Sequence, residues 1–574
     1  MRILGETDFV TRMAAKACRN WHRSVGGFTR QIVLFGSLAL IAACSEIPGI
    51  GKIPGFGDEE TLAKGTVGYI QGFYGGVVAD EPHAVLIGRD VLAAGGTAAD
   101  AAVAMYFMLS VSYPSAAGLG GGGMCLIRDP ATRKVETLDF LGHLSTGSAG
   151  IPVNVPGNPR GFFALHAKYG TLEWRENIRP AENAARFGVP ISRAFATEVA
   201  AAGPGFLRSV DGRALFGGNA LASVREGVLM KQENLSVLLA SIRTRGGGTI
   251  YSGAYGRQFA QAAQESGAAL SYADLQAFKP KWRSSIEVFF DVRSSFHLPL
   301  PRTPVGTMGA KTMALAIGDQ RYLNADDGLR AHLLAEAIQR ALVDGGGGFK
   351  TVTPEDGGAR VQLPADYIDG LADSYLEDRV VRLASPKSVW VPGPPKGGQT
   401  SFTAVDRNGG AVVCYVTMNK RFGIGRVVRG TGAFLASPAS SINERDMSPG
   451  LLILARRDKN MMFLAGSASG GAMAQSALVQ AALRAAGGTP DDLETAVKWK
   501  RLYRDPASAI TFVEQGTQPA IINALRQRGH QLQAVPTMGR VNMIFCGSGL
   551  PSKKPYCGMR SDPRGFGLAT APSF

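Results

Sequence analysis

Three hydroxyls crowd one short stretch, Gln399-Thr400-Ser401-Phe402-Thr403. It follows a Pro/Gly-rich connector, Pro392-Gly-Pro-Pro-Lys-Gly-Gly398, and opens a β-like run. A hydroxyl is a poor nucleophile until a neighbouring base takes its proton, so this cluster is of interest only if the fold supplies such a base. Gly470-Gly471 offers the complementary chemistry: backbone N–H groups freed of side chains can meet developing negative charge. The seven histidines are scattered and no cysteine pair has zinc-finger spacing, so no metal site and no cofactor is expected. Gly118-Leu-Gly-Gly-Gly-Gly123 lacks the Lys-Ser/Thr of a phosphate loop and reads as close packing around a strand.

The surrounding pattern must position these groups. Gly76–Ala79 reads as a strand, and residues 84–94 and 98–111 have helical apolar spacing, with Thr97 as N-cap of the second helix. Strands follow at Met124–Arg128 and Val135–Asp139; residues 158–290 read as mainly helical, and Gly328–Leu342 as another helix. Ser401–Asp406 and Gly410–Thr417 flank Arg407-Asn408-Gly409, and an Asn-Gly between β-like runs is a hairpin signal. Helices are expected at 472–486 and near 519–528, and closing strands near Val541–Phe545.

The chain has 574 residues, 45% apolar and 19% charged, enough for a large buried core. Of the formal charge of +15, residues 1–43 account for +4, and the remainder is spread without a basic stripe. Nucleic-acid binding is therefore not expected. Basic residues precede a short apolar stretch ending in Ile41-Ala42-Ala43-Cys44. This reads as a lipoprotein signal peptide over 1–43, with Cys44 as the lipidated first residue and 44–66 as a tether. The expectation is export to the cell envelope, periplasm-facing and anchored to a membrane. Export means an oxidising compartment. Cys546 and Cys557 bracket a turn-rich loop and are candidates for a local disulfide; Cys125 and Cys414, in apolar runs, read as buried thiols.

Four ordered blocks resemble the gamma-glutamyltransferase (gamma-glutamyltranspeptidase) family. They are Gly76–Ala104 with Asp90-Val-Leu-Ala-Ala-Gly-Gly-Thr; Gly118–Met124 with Leu138-Asp139-Phe140; Val155-Pro-Gly157 through Gly188-Val-Pro-Ile-Ser192; and Thr403–Asn419 through Met447-Ser-Pro449, Gly470-Gly471, Gly539-Arg-Val-Asn542 and Ser561-Asp-Pro-Arg564. The resemblance implies an α/β N-terminal-nucleophile hydrolase fold, an αββα sandwich with two stacked sheets between helical layers. It implies a large-subunit-like region over 67–398 and a small-subunit-like region over 399–574. In the family a precursor cuts itself before a Thr, whose own amine then activates its hydroxyl against γ-glutamyl amides such as glutathione. Counted from Asp406 and Asn419, that position is Gln399, whose amide cannot serve. The family's carboxylate-clamping Arg is replaced around Leu141-Gly142-His143, its Ser pair by Arg445 and Asp446, and its amine ligands fall near Pro438 and Ser441. The stretch 419–470 is also short, which implies a missing lid. Asn419 matches a residue that bonds nucleophile or substrate, Gly470 and Gly471 match the oxyanion hole, and Ser401, Thr403 and His143 stand where substrate contacts are expected. Two readings stay open: a self-cleaving acyltransferase or amidohydrolase with Thr400 as displaced nucleophile and a small-molecule amide substrate, or a non-catalytic binding or scaffold lipoprotein.

Overall fold

The computed structural model describes residues 73–216, 224–300, 304–318, 321–353, 360–383, 397–439 and 449–571. The expected signal peptide, Cys44, the tether, most of the Pro/Gly connector, Ser441, Arg445 and Asp446 lie outside them. Twelve strands form one continuous ladder and are numbered in chain order. They are β1 Gly75–Ala79, β2 Gly122–Arg128, β3 Val135–Asp139, β4 Lys281–Phe289, β5 Ser294–Pro299, β6 Gln399–Asp406, β7 Ala411–Thr417, β8 Gly450–Arg456, β9 Met461–Ser469, β10 Arg540–Leu550, β11 Cys557–Ser561 and β12 Leu568–Thr570. The order along the ladder is β11-β10-β9-β8-β5-β4-β3-β2-β7-β6-β1-β12.

The ladder folds into two layers at β4. Its first half pairs with β3 (Glu136 opposite Ser284) and its second half with β5 (Ser285 opposite Pro299). Period-two alternation then gives each layer two apolar faces. Val78, Met124, Val405 and Val413 of one layer meet Leu451, Ile453, Ala465 and Ile544 of the other in a shared core. The opposite faces bury Phe402, Ala404 and Cys414 under one set of helices, and Leu452, Leu464 and Met543 under another. This is the αββα arrangement. Strands from before and after residue 398 interleave, since β1 lies between β6 and β12, so the two expected regions share one sheet.

Helix α1 (Pro82–Ala93) starts where Glu81 accepts the Ala84 N–H at 3.1 Å. Helix α2 (Ala98–Ser112) starts at a capping box in which Thr97 and Asp100 satisfy each other's backbone N–H groups. Every residue of α2 is buried. Such a helix, apolar nearly all round, belongs in a core rather than on a surface. Residues 281–289, within the stretch expected to be mainly helical, form β4 instead; the β-branched Ile286 and Val288, both buried, alternate with Ser285, Glu287 and Phe289.

Two disulfides staple strands. Cys546 and Cys557 face each other on β10 and β11 with Cα atoms 4.0 Å apart. Cys125 and Cys414, expected as separate thiols, are bonded to each other. The reason is register: β2 and β7 are neighbours, and these two residues are directly opposite, with Cα atoms 4.1 Å apart. A sequence separation of 289 hid that pairing.

Candidate active site

β6 is placed between β1 and β7, with Gln399 opposite Thr417 and Phe402 opposite Ala79. Its alternation decides what each side chain can reach. Gln399, Ser401 and Thr403 share the face of Val405, toward the second layer, whereas Thr400 shares the face of Phe402 and Ala404, toward the helices. Gly398 precedes them at φ +75°, and a Cβ there would lie 2.3 Å from the Lys420 carbonyl carbon, so only glycine fits. Its carbonyl accepts the Met418 N–H at 2.7 Å and the Thr417 hydroxyl at 3.0 Å.

Gln399 is nearly buried, 6% exposed, and its Oε1 accepts the Gly471 N–H at 3.1 Å. That N–H is available because Gly470 holds φ +113° against the backbone of Gly539, where a Cβ would meet Gly539 Cα at 2.9 Å. The pair expected to stabilise an oxyanion thus has a donor engaged by the protein's own neutral amide.

The hydroxyl of Thr400 is fully buried and donates to Asp80 Oδ2 at 3.0 Å. Asp80 directly follows β1 and gathers the site. Its Oδ2 also accepts the Ser401 N–H at 3.2 Å and the Ser469 hydroxyl at 2.7 Å, and its Oδ1 accepts Asn542 Nδ2 at 2.9 Å. Asn542 reaches on to the Ser401 carbonyl (3.1 Å) and hydroxyl (3.2 Å). Thr403 donates to the Ser467 hydroxyl at 3.1 Å. Asp80, Ser467, Ser469 and Asn542 escape a reading by nucleophile type. Their signal is polarity inside apolar runs: an Asp closing Gly-Gly-Val-Val-Ala, serines alternating in Ala465-Gly-Ser-Ala-Ser469, and an Asn within Val541–Phe545.

Asn419 holds φ +64° and donates through Nδ2 to the Ser437 carbonyl at 2.6 Å; its Oδ1 is buried without a hydrogen-bond partner. Asp406 accepts the Ala98 N–H at 3.0 Å, so the hairpin turn also caps α2. Burial raises its carboxyl above the usual range despite N–H bonds from Ala98, Gly410 and Asn408. His143 is exposed and stacks on Phe278 with centroids 6.1 Å apart; Leu141 is buried in the inter-layer core. Beside β6, Glu198 pairs with Arg421 at 2.8 Å and with Arg540 at 3.9 Å. Burial opposes the Arg540 charge, but Tyr113, Asp80 and Glu198 hold it above its ordinary value.

His332, Glu336 and His530, unrelated in the sequence reading, converge with ligand-type atoms within 4.8 Å of one another. Hydrogen bonds already use these atoms. Thr511 Oγ1 lies 2.8 Å from His530 Nδ1, His530 Nε2 lies 2.7 Å from His332 Nδ1, and His332 Nε2 lies 2.8 Å from the Leu376 carbonyl. Two neutral imidazoles complete that chain without an ion.

The profile of the family described as Gamma-glutamyltranspeptidase matches residues 84–571. The chain is 27% identical to a glutathione hydrolase proenzyme of Pseudomonas aeruginosa over 403 residues, 63% of this chain and 67% of the relative. It is 25% identical to the glutathione hydrolase proenzyme of Bacillus subtilis strain 168 over 570 residues, covering 88% and 94%. Among solved structures, cephalosporin acylase from Bacillus halodurans superposes with a TM-score of 0.70 at 22% identity, over 90% of this chain and 99% of that one, a likeness of fold.

Proposed function

Because the chain belongs to the gamma-glutamyltranspeptidase family, we propose that Gln399 stands where that family carries its nucleophilic Thr and that the chain therefore does not cut itself. On this reading it uses the head of β6 to hold an amide-bearing small molecule rather than to cleave it. The observation that carries this is the bond from the Gly471 N–H to Gln399 Oε1. Oxyanion donors act on charge that develops in the transition state. Here one is spent on a neutral amide, and no free α-amine is generated while the chain stays continuous through Gly398-Gln399. The ligand class follows from the relatives, whose names specify glutathione hydrolysis. The test is turnover of a chromogenic γ-glutamyl amide by the purified chain. The expected rate equals that of heat-denatured protein; saturable turnover would refute the proposal.

A second reading rests on one specific contact. The Thr400 hydroxyl lies 3.0 Å from a carboxylate, Asp80, and a carboxylate can act as base toward a hydroxyl. If Thr400 is a displaced nucleophile, turnover is present and Thr400→Ala abolishes it. Burial of Thr400, on the helix side of the strand, favours the first reading.

We further propose that the protein is exported and anchored through Cys44. The support is the leader pattern of residues 1–43 and two disulfides, a bond type suited to oxidising compartments. Among the described residues no helix is long and apolar enough to cross a membrane. Cys44→Ser should release the protein from membranes; unchanged retention would refute the anchor.

A further inference from the structure

A cleft lies at the fold in the ladder, with β7, β2 and β3 between β4 and β6 in the sheet order. There β4 leaves β3 and joins β5, and the divergence opens a cleft of about 620 Å³. That volume suits a small molecule. Its lining is dominated by cations. Arg283, Arg360 and Arg457 stand within it, with Arg133 and Lys134 at the β2–β3 turn. The acids on its wall are already engaged. Glu136 is held by Lys168 and Tyr169, and Glu287 accepts from Arg457 at 2.5 Å, Ser295 at 2.7 Å and Gln362 at 2.9 Å. Arg283 pairs through its Nε with Asp139 Oδ2 at 3.3 Å. Ser284 and Ser285 complete the wall; the Ser285 hydroxyl donates to the Val135 carbonyl at 2.9 Å and lies 3.2 Å from His297 Nδ1.

We propose that this cleft binds a phosphate-bearing ligand. Guanidinium groups present paired N–H donors that match phosphate oxygens, and several converging on one cavity suit a group carrying more than one negative charge. Five cations against two acids on the wall leave an excess of positive charge that a monocarboxylate would only partly offset. His297 fits the same purpose. Burial first, then the neighbouring Arg457, Arg128 and Arg360, lower its imidazole to about 4 against the opposing pull of Glu287. It is therefore neutral at pH 7, and a bound dianion would raise it.

The test is calorimetric titration of the full chain with inorganic pyrophosphate at low ionic strength. Saturable binding is expected, with Arg283→Gln and Arg360→Gln each weakening it about tenfold, the worth of one lost charge-assisted contact. Lys553→Gln/Lys554→Gln, on the β10–β11 loop, should leave it unchanged. The His297 ring, followed by NMR and assigned through His297→Asn, should titrate at higher pH when pyrophosphate is bound. Absence of saturable binding, native affinity retained in both Arg variants, or tighter binding of citrate than of pyrophosphate would overturn the proposal. Sedimentation with phosphatidylglycerol vesicles separates the sources. Binding lost in the same Arg variants assigns a lipid headgroup, and binding of pyrophosphate alone assigns a soluble phosphate ester.

Discussion

Asp80→Asn preserves shape at the centre of the site and removes its charge. In the native protein Oδ2 accepts from Thr400 (3.0 Å), the Ser401 N–H (3.2 Å) and Ser469 (2.7 Å), while Oδ1 accepts from Asn542 at 2.9 Å. An Asn has one acceptor oxygen. If it takes the Oδ2 position, its NH₂ faces the NH₂ of Asn542, so one bond is lost and three become neutral. Bonds to a charged group contribute about 1.5–3 kcal/mol and neutral ones about 1. One loss of about 1.5–3 kcal/mol and three weakenings of about 0.5–2 kcal/mol each therefore cost about 3–9 kcal/mol together. Unfolding entropy is about 2 cal/mol/K per residue, so a folded unit the size of Leu62–Phe574 loses roughly 1 °C of midpoint per kcal/mol. Scanning calorimetry should show Asp80→Asn melting about 3–9 °C below the native chain. The exposed Asp90→Asn, which only loosens a surface pair with Arg89, should melt with the native protein. Equal midpoints for Asp80→Asn and Asp90→Asn would refute the claim that Asp80 organises the head of β6.

Gln399→Thr releases the Gly471 N–H and restores a hydroxyl directly after Gly398; a denaturing gel should then show two fragments, the smaller beginning at residue 399. Stability should fall in mild acid. His530 is 5% exposed, and burial, then Arg504, His332 and Arg528, lower its pKa from 6.5 to about 3. The unfolded chain thus takes up a proton that the folded chain refuses. The stability held by the neutral ring is complete above about pH 6.5 and is lost progressively as pH falls toward 3. Urea midpoints measured across that range should decline, and less steeply in His530→Asn. Cys414→Ser removes a cross-strand bond that closes a loop of 289 residues and should lower stability by about 2–4 kcal/mol, read by the same unfolding curves.

Much of the architecture was legible in local pattern. The hairpin at Asn408-Gly409 and the Thr97 cap are encoded within a few residues, where turn and capping chemistry act, and both stand in the structure. The ordered glycine blocks carried the family because close approach is demanded at fixed points, as at Gly157, where a Cβ would lie 1.9 Å from the Phe140 carbonyl oxygen. What stayed hidden depends on distant pairing. The register that sets Cys125 against Cys414 joins strands 289 residues apart. Asp80 becomes a hub only when β1, β6, β9 and β10 meet, and its acceptors serve donors up to 462 positions away. The fold in β4 likewise has no local signature; its first half pairs with one layer and its second with the other.

The most direct measurement is the intact mass of the purified native chain, with N-terminal sequencing of every species. One uncut species is expected, with no new terminus at residue 399 or 400. A complementary pair of fragments, the smaller beginning at Thr400, would contradict the reading of Gln399 as a block and make Thr400 the nucleophile.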